Sequence, residues 1–198
     1  KGGAISVGTD AATLESSTLR RIRFLRNKAQ YGGGLSFHRG TRDNVVHHII
    51  LEDVIFEGNE VAESGGGIQV TGGFRLSVSN VTFRDNRAMQ NGGAIGIRLI
   101  EAAPAVIEMN DTVIESGHAD SHGGAIHCSE VSGESVSLDM KRVRFMRNDA
   151  YGNGGAIFFG CQSLKITNSS FHSNSASGGN GGALHLGREL ECGDASGM

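Results

Sequence analysis

One word recurs down the chain and limits what it can fold into: Gly-Gly, a small residue, then Ile or Leu. It stands at Gly2-Gly3-Ala4-Ile5, Gly32-Gly33-Gly34-Leu35, Gly65-Gly66-Gly67-Ile68 and Gly92-Gly93-Ala94-Ile95. It returns at Gly123-Gly124-Ala125-Ile126, Gly154-Gly155-Ala156-Ile157 and Gly181-Gly182-Ala183-Leu184, each copy 27 to 33 residues from the last. A second word, Phe-x-x-Asn, precedes it in phase at Phe24/Asn27, Phe56/Asn59, Phe83/Asn86, Phe145/Asn148 and Phe171/Asn174. A fixed period of this size marks a repeat architecture, in which no unit buries its apolar side alone and neighbours must stack.

Each unit offers three short β-like segments. The first alternates ahead of the Phe (His48-Ile49-Ile50-Leu51, Val106-Ile107-Glu108-Met109), the second holds the Phe (Val54-Ile55-Phe56), and the third follows the double glycine. Period-2 alternation over a few residues marks a half-buried strand, and no stretch shows helical periodicity with caps. Three strands per unit are too few for a propeller blade, and the consensus is not that of leucine-rich repeats. The expectation is an all-β fold: one right-handed parallel β-helix domain over residues 1–198, of about six coils with three short strands per coil. Equivalent strands would stack at ~4.8 Å, a rod roughly 30 Å long. Phe, Ile and Leu would form inward ladders. The Asn of Phe-x-x-Asn would end its strand in an unusual backbone conformation, bonded to main chain and stacked coil upon coil, and Asn91, Asn153 and Asn180 read the same way. The fourth unit departs, with Ile114 for Phe and Gly117 for Asn.

Composition agrees. There are 31 glycines and one proline in 198 residues, against a usual glycine share of ~7%, so many corners need φ > 0 or close backbone approach. With net charge −3 and no long basic run, nucleic acid is not an expected partner. No apolar stretch is long enough to span a bilayer as a helix. The chain opens within a repeat, without a leader pattern, and reads as a mature chain or part of a longer repeat protein.

Cys128, Cys161 and Cys192 form an odd set. Cys161 and Cys192 follow consecutive repeats at similar offsets, so a bridge between neighbouring coils is one reading; three buried free thiols is the other. Sequons at Asn80-Val81-Thr82, Asn110-Asp111-Thr112 and Asn168-Ser169-Ser170 sit just before the second strand at nearly one phase. They are candidate glycosylation sites in a secreted eukaryotic protein, or the by-product of a corner rich in Asn, Ser and Thr. His118, His122 and His127 fall in one unit; His122 takes the place of a turn Asn and His127 could face solvent, so a metal site is not expected. No cofactor is expected either. Some β-helix proteins are polysaccharide lyases or hydrolases, which need clustered carboxylates. The exposed positions within Phe-x-x-Asn do not align carboxylates on neighbouring units, and there is no Trp.

Phe-x-x-Asn paired with Gly-Gly-Ala-[Ile/Leu] resembles the repeats of the chlamydial polymorphic outer membrane proteins and related repeat proteins. The resemblance covers nearly the whole chain and implies a surface-exposed or secreted β-helix acting as an adhesin through its repeats and exposed loops, with no catalytic site. The Phe and Asn positions named above carry it. The expected function is therefore non-enzymatic adhesion or protein interaction at the cell surface, with other proteins or cell-surface glycans as partners. The alternative is a structural subunit that associates end-on in a larger assembly. The longest inter-repeat segments, Phe37 to His47, Arg98 to Ala105 and His127 to Glu134, are the expected partner-facing elements.

Overall fold

A computed structural model describes residues 3–9, 16–39, 47–99, 104–130 and 136–187. Their strands form four parallel sheets and no helix. Sheet A contains Ile5–Thr9, Leu35–Arg39, Ile68–Thr71, Ile95–Leu99, Ile126–Glu130, Ile157–Gly160 and Leu184–Leu186. Sheet B contains Ser16–Arg20, His47–Glu52, Phe74–Ser79, Ala105–Asn110, Val136–Lys141 and Ser163–Thr167. Sheet C contains Arg23–Leu25, Ile55–Glu57, Thr82–Arg84, Val113–Glu115, Arg144–Met146 and Ser170–His172. Sheet D contains the two-residue strands Lys28–Ala29, Glu60–Val61, Arg87–Ala88, His118–Ala119, Asp149–Ala150 and Ser175–Ala176. The chain visits B, C, D and A in turn, so each circuit is one coil, numbered 1 to 6 from Ser16; Ile5–Thr9 precedes coil 1 in sheet A. This is a parallel β-helix, as the repeat requires. Each coil has four strands where the sequence suggests three, because the segment after the Phe bends and pairs again.

The bends explain the repeat words. Three corners per coil carry a positive φ. One lies just after sheet B (Arg21, Asp53, Asn80, Asp111, Arg142, Asn168) and one just before the ladder Asn (Arg26, Gly58, Asp85, Ser116, Arg147, Ser173). The third is the first glycine of the double glycine, such as Gly123 at 65°. The left-handed residue is thus the one preceding the Asn, not the Asn itself, which corrects the sequence reading; Asn91, Asn153 and Asn180 likewise yield that conformation to the glycine after them. The second glycine is needed for proximity: a Cβ on Gly124 would run into the Gly155 carbonyl of the next coil.

Inside, apolar residues stack in register. Phe24, Phe56 and Phe83 form one run of parallel rings with centroids 4.9 and 4.8 Å apart, and Phe145 and Phe171 continue it at 4.7 Å. Ile114 fills the intervening rung, fully buried. Beside them runs an asparagine ladder. Asn59 Nδ2 donates to Phe24 O and to Asn86 Oδ1, both at 2.9 Å, and Asn59 Oδ1 accepts from Asn27 N and Nδ2 at 3.0 and 2.9 Å. Asn148 repeats the pattern with Ile114 O and Asn174 Oδ1, each at 3.0 Å. Gly117 breaks the ladder, its N–H donating to Asn148 Oδ1 at 2.9 Å.

Candidate functional site

With the repeat words turned inward, chemistry must reside on the outer columns, where residues one coil apart stand side by side. Those columns are laced by ion pairs, and their order follows a pattern of whole coils. Coil 1 carries Arg20, Arg21, Arg23, Arg26, Lys28 and Arg39 and no acidic residue between 16 and 39. Coil 2, residues 47–71, carries Glu52, Asp53, Glu57, Glu60 and Glu63 and neither Lys nor Arg. Coil 3 is basic again (Arg75, Arg84, Arg87, Arg98, against Asp85), and coil 4 is wholly acidic (Glu108, Asp111, Glu115, Asp120, Glu130). Coil 5 returns to a basic excess (Lys141, Arg142, Arg144, Arg147, against Asp139 and Asp149).

The geometry follows the alternation. Arg20 pairs with Glu52, and Lys28 with Glu60 at 2.8 Å. Arg84 lies between Glu57 at 4.0 Å and Glu115 at 2.6 Å, and Glu115 also meets Arg147 at 3.0 Å, so one carboxylate, only 12% exposed, joins coils 3, 4 and 5. Arg142 Nε holds Asp111 at 2.5 Å, and the Arg142 bond keeps the Asp111 carboxyl below its ordinary value. The bond from Lys28 lowers Glu60 likewise.

Register also brings together a carboxylate pair that the sequence reading missed. Glu108 and Asp139 are direct neighbours on the outer face of sheet B. Arg75 Nη2 donates to both Glu108 oxygens at 3.2 Å, Ser77 Oγ donates to Glu108 at 3.4 Å, and Lys165 Nζ reaches Asp139 at 3.0 Å. Neither Glu108 nor Asp139 lies in a Phe-x-x-Asn word; it is the pairing of the sheet B segments that aligns them. His48 Nε2 stands 2.9 Å from Ser77 Oγ, but the carboxylate lies on the serine rather than on the imidazole. That order does not make an activated nucleophile, which needs the base between the two.

The sequence-predicted residues divide clearly. Phe24, Phe56, Phe83, Phe145, Asn59, Asn86 and Asn148 are buried, and Phe171, Asn27 and Asn174 partly so, which places the motif in the scaffold. Asn80 and Asn168 occupy equivalent left-handed corners and are exposed, Asn80 Nδ2 donating to Asp53 Oδ1 at 2.7 Å. Asn110 lies one residue earlier, at the end of its strand, and Thr112 of the same sequon is buried with its hydroxyl on Asn110 O. The disulfide joins Cys128 to Cys161, with Cα atoms 6.0 Å apart. Neither the candidate Cys161–Cys192 bridge nor the set of three free thiols is what forms: Cys128 is buried in the sheet A strand directly beside the short turn that bears Cys161. Cys192 lies outside the described residues.

Of the three histidines, His122 and His127 come together, their rings stacked with centroids 6.5 Å apart, while His118 pairs with carboxylates. His118 bridges Asp120 and Asp149 at the surface, at 2.8 and 3.1 Å. His122 does serve as a turn residue: its Nδ1 accepts from Asn153 N at 2.8 Å, while Asn91 Oδ1 accepts from His122 N. His127 is 4% exposed rather than facing solvent, and stacks on Phe158 at 5.2 Å. Among the described residues no His, Cys, Asp and Glu group could hold a metal ion. No described helix is long and apolar enough to cross a membrane.

The three expected partner-facing segments share one place. Each joins sheet A to sheet B, and their ends Phe37, His47, Ala105 and His127 are buried. Residues 40–46, 100–103 and 131–135 within them lie outside the described residues. In coils 2 and 5 the same connection is only Gly72-Gly73 and Cys161-Gln162.

The sequence pattern of the right-handed β-helix region matches residues 3–189, and the chain belongs to that family. No curated protein and no solved structure matches it.

Proposed function

We propose that this chain is a non-enzymatic interaction module displayed at the cell surface or secreted, with a rigid β-helix carrying recognition segments along one longitudinal corner. One observation carries the reading: chain length varies from coil to coil chiefly at the connection from sheet A to sheet B, while strand pairing in all four sheets keeps its register. A solenoid that varies at one corner can change what it displays without changing its core. The inter-coil disulfide Cys128–Cys161 supports an extracellular setting, since disulfides persist in oxidising compartments. The resemblance to polymorphic outer membrane protein repeats supports adhesion, with proteins or cell-surface glycans as partners; exposed Asn80 and Asn168 are the sequons best placed for sugar.

The test replaces residues 40–46, 100–103 and 131–135, singly and together, by the Gly-Gly connection of coil 2. Binding to cell monolayers, matrix proteins and glycan arrays is then compared with the intact chain. Retained thermal melting with at least tenfold weaker binding is expected; undiminished binding would move recognition to another face.

A second reading, polysaccharide cleavage, draws on the Glu108/Asp139 pair. Carboxylates ~5 Å apart suit a retaining glycosidase, but both are held by cations. Product release from a polysaccharide panel, abolished by Glu108→Gln, would establish it over the first.

A further inference from the structure

On the outer side of sheet D, coils 3, 4 and 5 set their side chains out as a grid. Ala88, Ala119 and Ala150 point into the rod and are fully buried, so the residues on either side of each point outward. Arg87, His118 and Asp149 stand in one column, paired coil to coil. Met89, Asp120 and Tyr151 stand in the next, their N–H groups donating to Val61 O, Ala88 O and Ala119 O. Four of the six hold one another in place. Arg87 meets Asp120 at 3.0 Å, and His118 stands 2.8 Å from Asp120 and 3.1 Å from Asp149.

The other two, Met89 and Tyr151, are 49% and 67% exposed. All nine Phe and Tyr31 are buried or half-buried, so Tyr151 is the one Phe or Tyr ring that stands in the open. It is braced from one side. A Cβ on Gly178 would lie 2.8 Å from Tyr151 O and 3.1 Å from the ring atoms Cε1 and Cζ, so the ring rests against bare backbone of coil 6. The column is bordered by short residues, Ala62 on coil 2 and Ser177 on coil 6, which leaves both apolar side chains standing clear. An aromatic ring fixed in the open beside polar groups fixed by one another is a preorganised recognition surface.

We propose that this grid binds a neutral oligosaccharide of at least two pyranose units laid along the rod. Met89 and Tyr151 are two coils apart, ~9.6 Å at the usual strand spacing, which matches the run of two linked sugar rings. The C–H face of one ring lies on Tyr151 and the next rests against Met89. Asp120 between them and Asp149 beside them accept sugar hydroxyls. Among the described residues Asp149 is met only by His118, through Oδ2, which leaves Oδ1 as an acceptor. Two carboxylates against one guanidinium turn away sulfated and sialylated chains. A protein partner would need roughly 800 Å² of surface on each side, whereas only two apolar side chains stand clear here, with a carboxylate between them. The proposal rests on the interaction reading in taking a glycan as the partner; it uses a face apart from the sheet A to sheet B corner.

The experiment titrates the whole chain with cellotriose, chitotriose, maltotriose and lactose in turn, followed by ligand-observed NMR. Saturable binding of at least one is expected, and at least tenfold weaker binding in Tyr151→Ala. Tyr151→Phe should bind within about twofold of the parent, since the ring face and not the hydroxyl carries the sugar. Met89→Ala and Asp149→Ala should each weaken binding severalfold. All these side chains are on the surface, and circular dichroism checks that each variant stays folded. Saturation by none of the four sugars overturns the proposal, as does binding that Tyr151→Ala leaves intact. Tighter binding of sialyllactose, or of a peptide rich in Arg and Lys, also overturns it, making the surface an anion or a cation site. The corner grafts should leave trisaccharide binding unchanged. If the grafts abolish it and Tyr151→Ala does not, this inference fails and the corner stands; undiminished cell binding by the grafts sinks the corner alone.

Discussion

The Asn59 side chain answers three neighbours: Phe24 O, Asn86 Oδ1 and the paired donors of Asn27. Its burial is complete, so water cannot replace what a truncation removes. Asn59→Ala should therefore cost about 3 kcal/mol in urea unfolding, the range for stranded buried groups. Asn27→Ala, at the partly exposed end of the ladder, should cost about 1 kcal/mol or less. Gly117 makes a sharper case. Restoring the consensus with Gly117→Asn looks favourable from the repeat, yet a Cβ there would lie 2.5 Å from Gly124 O and 3.0 Å from Asn148 Oδ1. The backbone of coil 4 has closed into the space an Asn would use. The substitution should destabilise by about 1 to 3 kcal/mol, as overpacking does, and a rise in melting temperature would refute that account.

Neighbouring coils are held by strand pairing with aromatic stacking, by polar ladders, by surface ion pairs and by one covalent link. The Cys128–Cys161 bridge closes a loop of one coil, with a sequence separation of 33. Removing it by Cys128→Ala with Cys161→Ser should lower stability by about 2 to 4 kcal/mol, seen as a lower urea midpoint with the sheet signature retained. Single-residue replacement in the Phe run is harsher on a local scale. Phe56 stacks on both Phe24 and Phe83 and is fully buried, so Phe56→Ala should cost about 3 to 5 kcal/mol. The Ile114 rung shows that the stack tolerates a smaller aliphatic residue in a coil whose backbone is packed around it.

Across the molecule, charge alternation is a register device more than a source of stability. Exposed pairs contribute roughly 0 to 1 kcal/mol each, but a slip by one coil would set the cations of coil 3 against those of coil 1 and the acids of coil 4 against those of coil 2. Arg84→Glu should therefore disturb the fold more than Arg84→Gln, because it faces Glu57 and Glu115 together. Acid should loosen the rod for the same reason. Glu60 and Asp111 have folded values below their ordinary ones through Lys28 and Arg142. Their contribution is present above the unfolded carboxylate range, near pH 4, and is lost as pH falls through the lower folded values. The melting temperature should drop below about pH 4, and the drop should shrink in Lys28→Ala/Arg142→Ala.

The repeat words determined the coil, its inward Phe run, the asparagine ladder and the need for glycine at one corner, because each is set within a single unit by volume, alternation and backbone freedom. Tertiary structure decided what depends on the neighbour one coil away. It moved the left-handed conformation to the residue before each Asn, added the sheet D strand, joined Cys161 to Cys128 and set Glu108 beside Asp139. Coils differ in length at the sheet A to sheet B connection, so a sequence offset does not state which residues stand together; parallel pairing at constant spacing does.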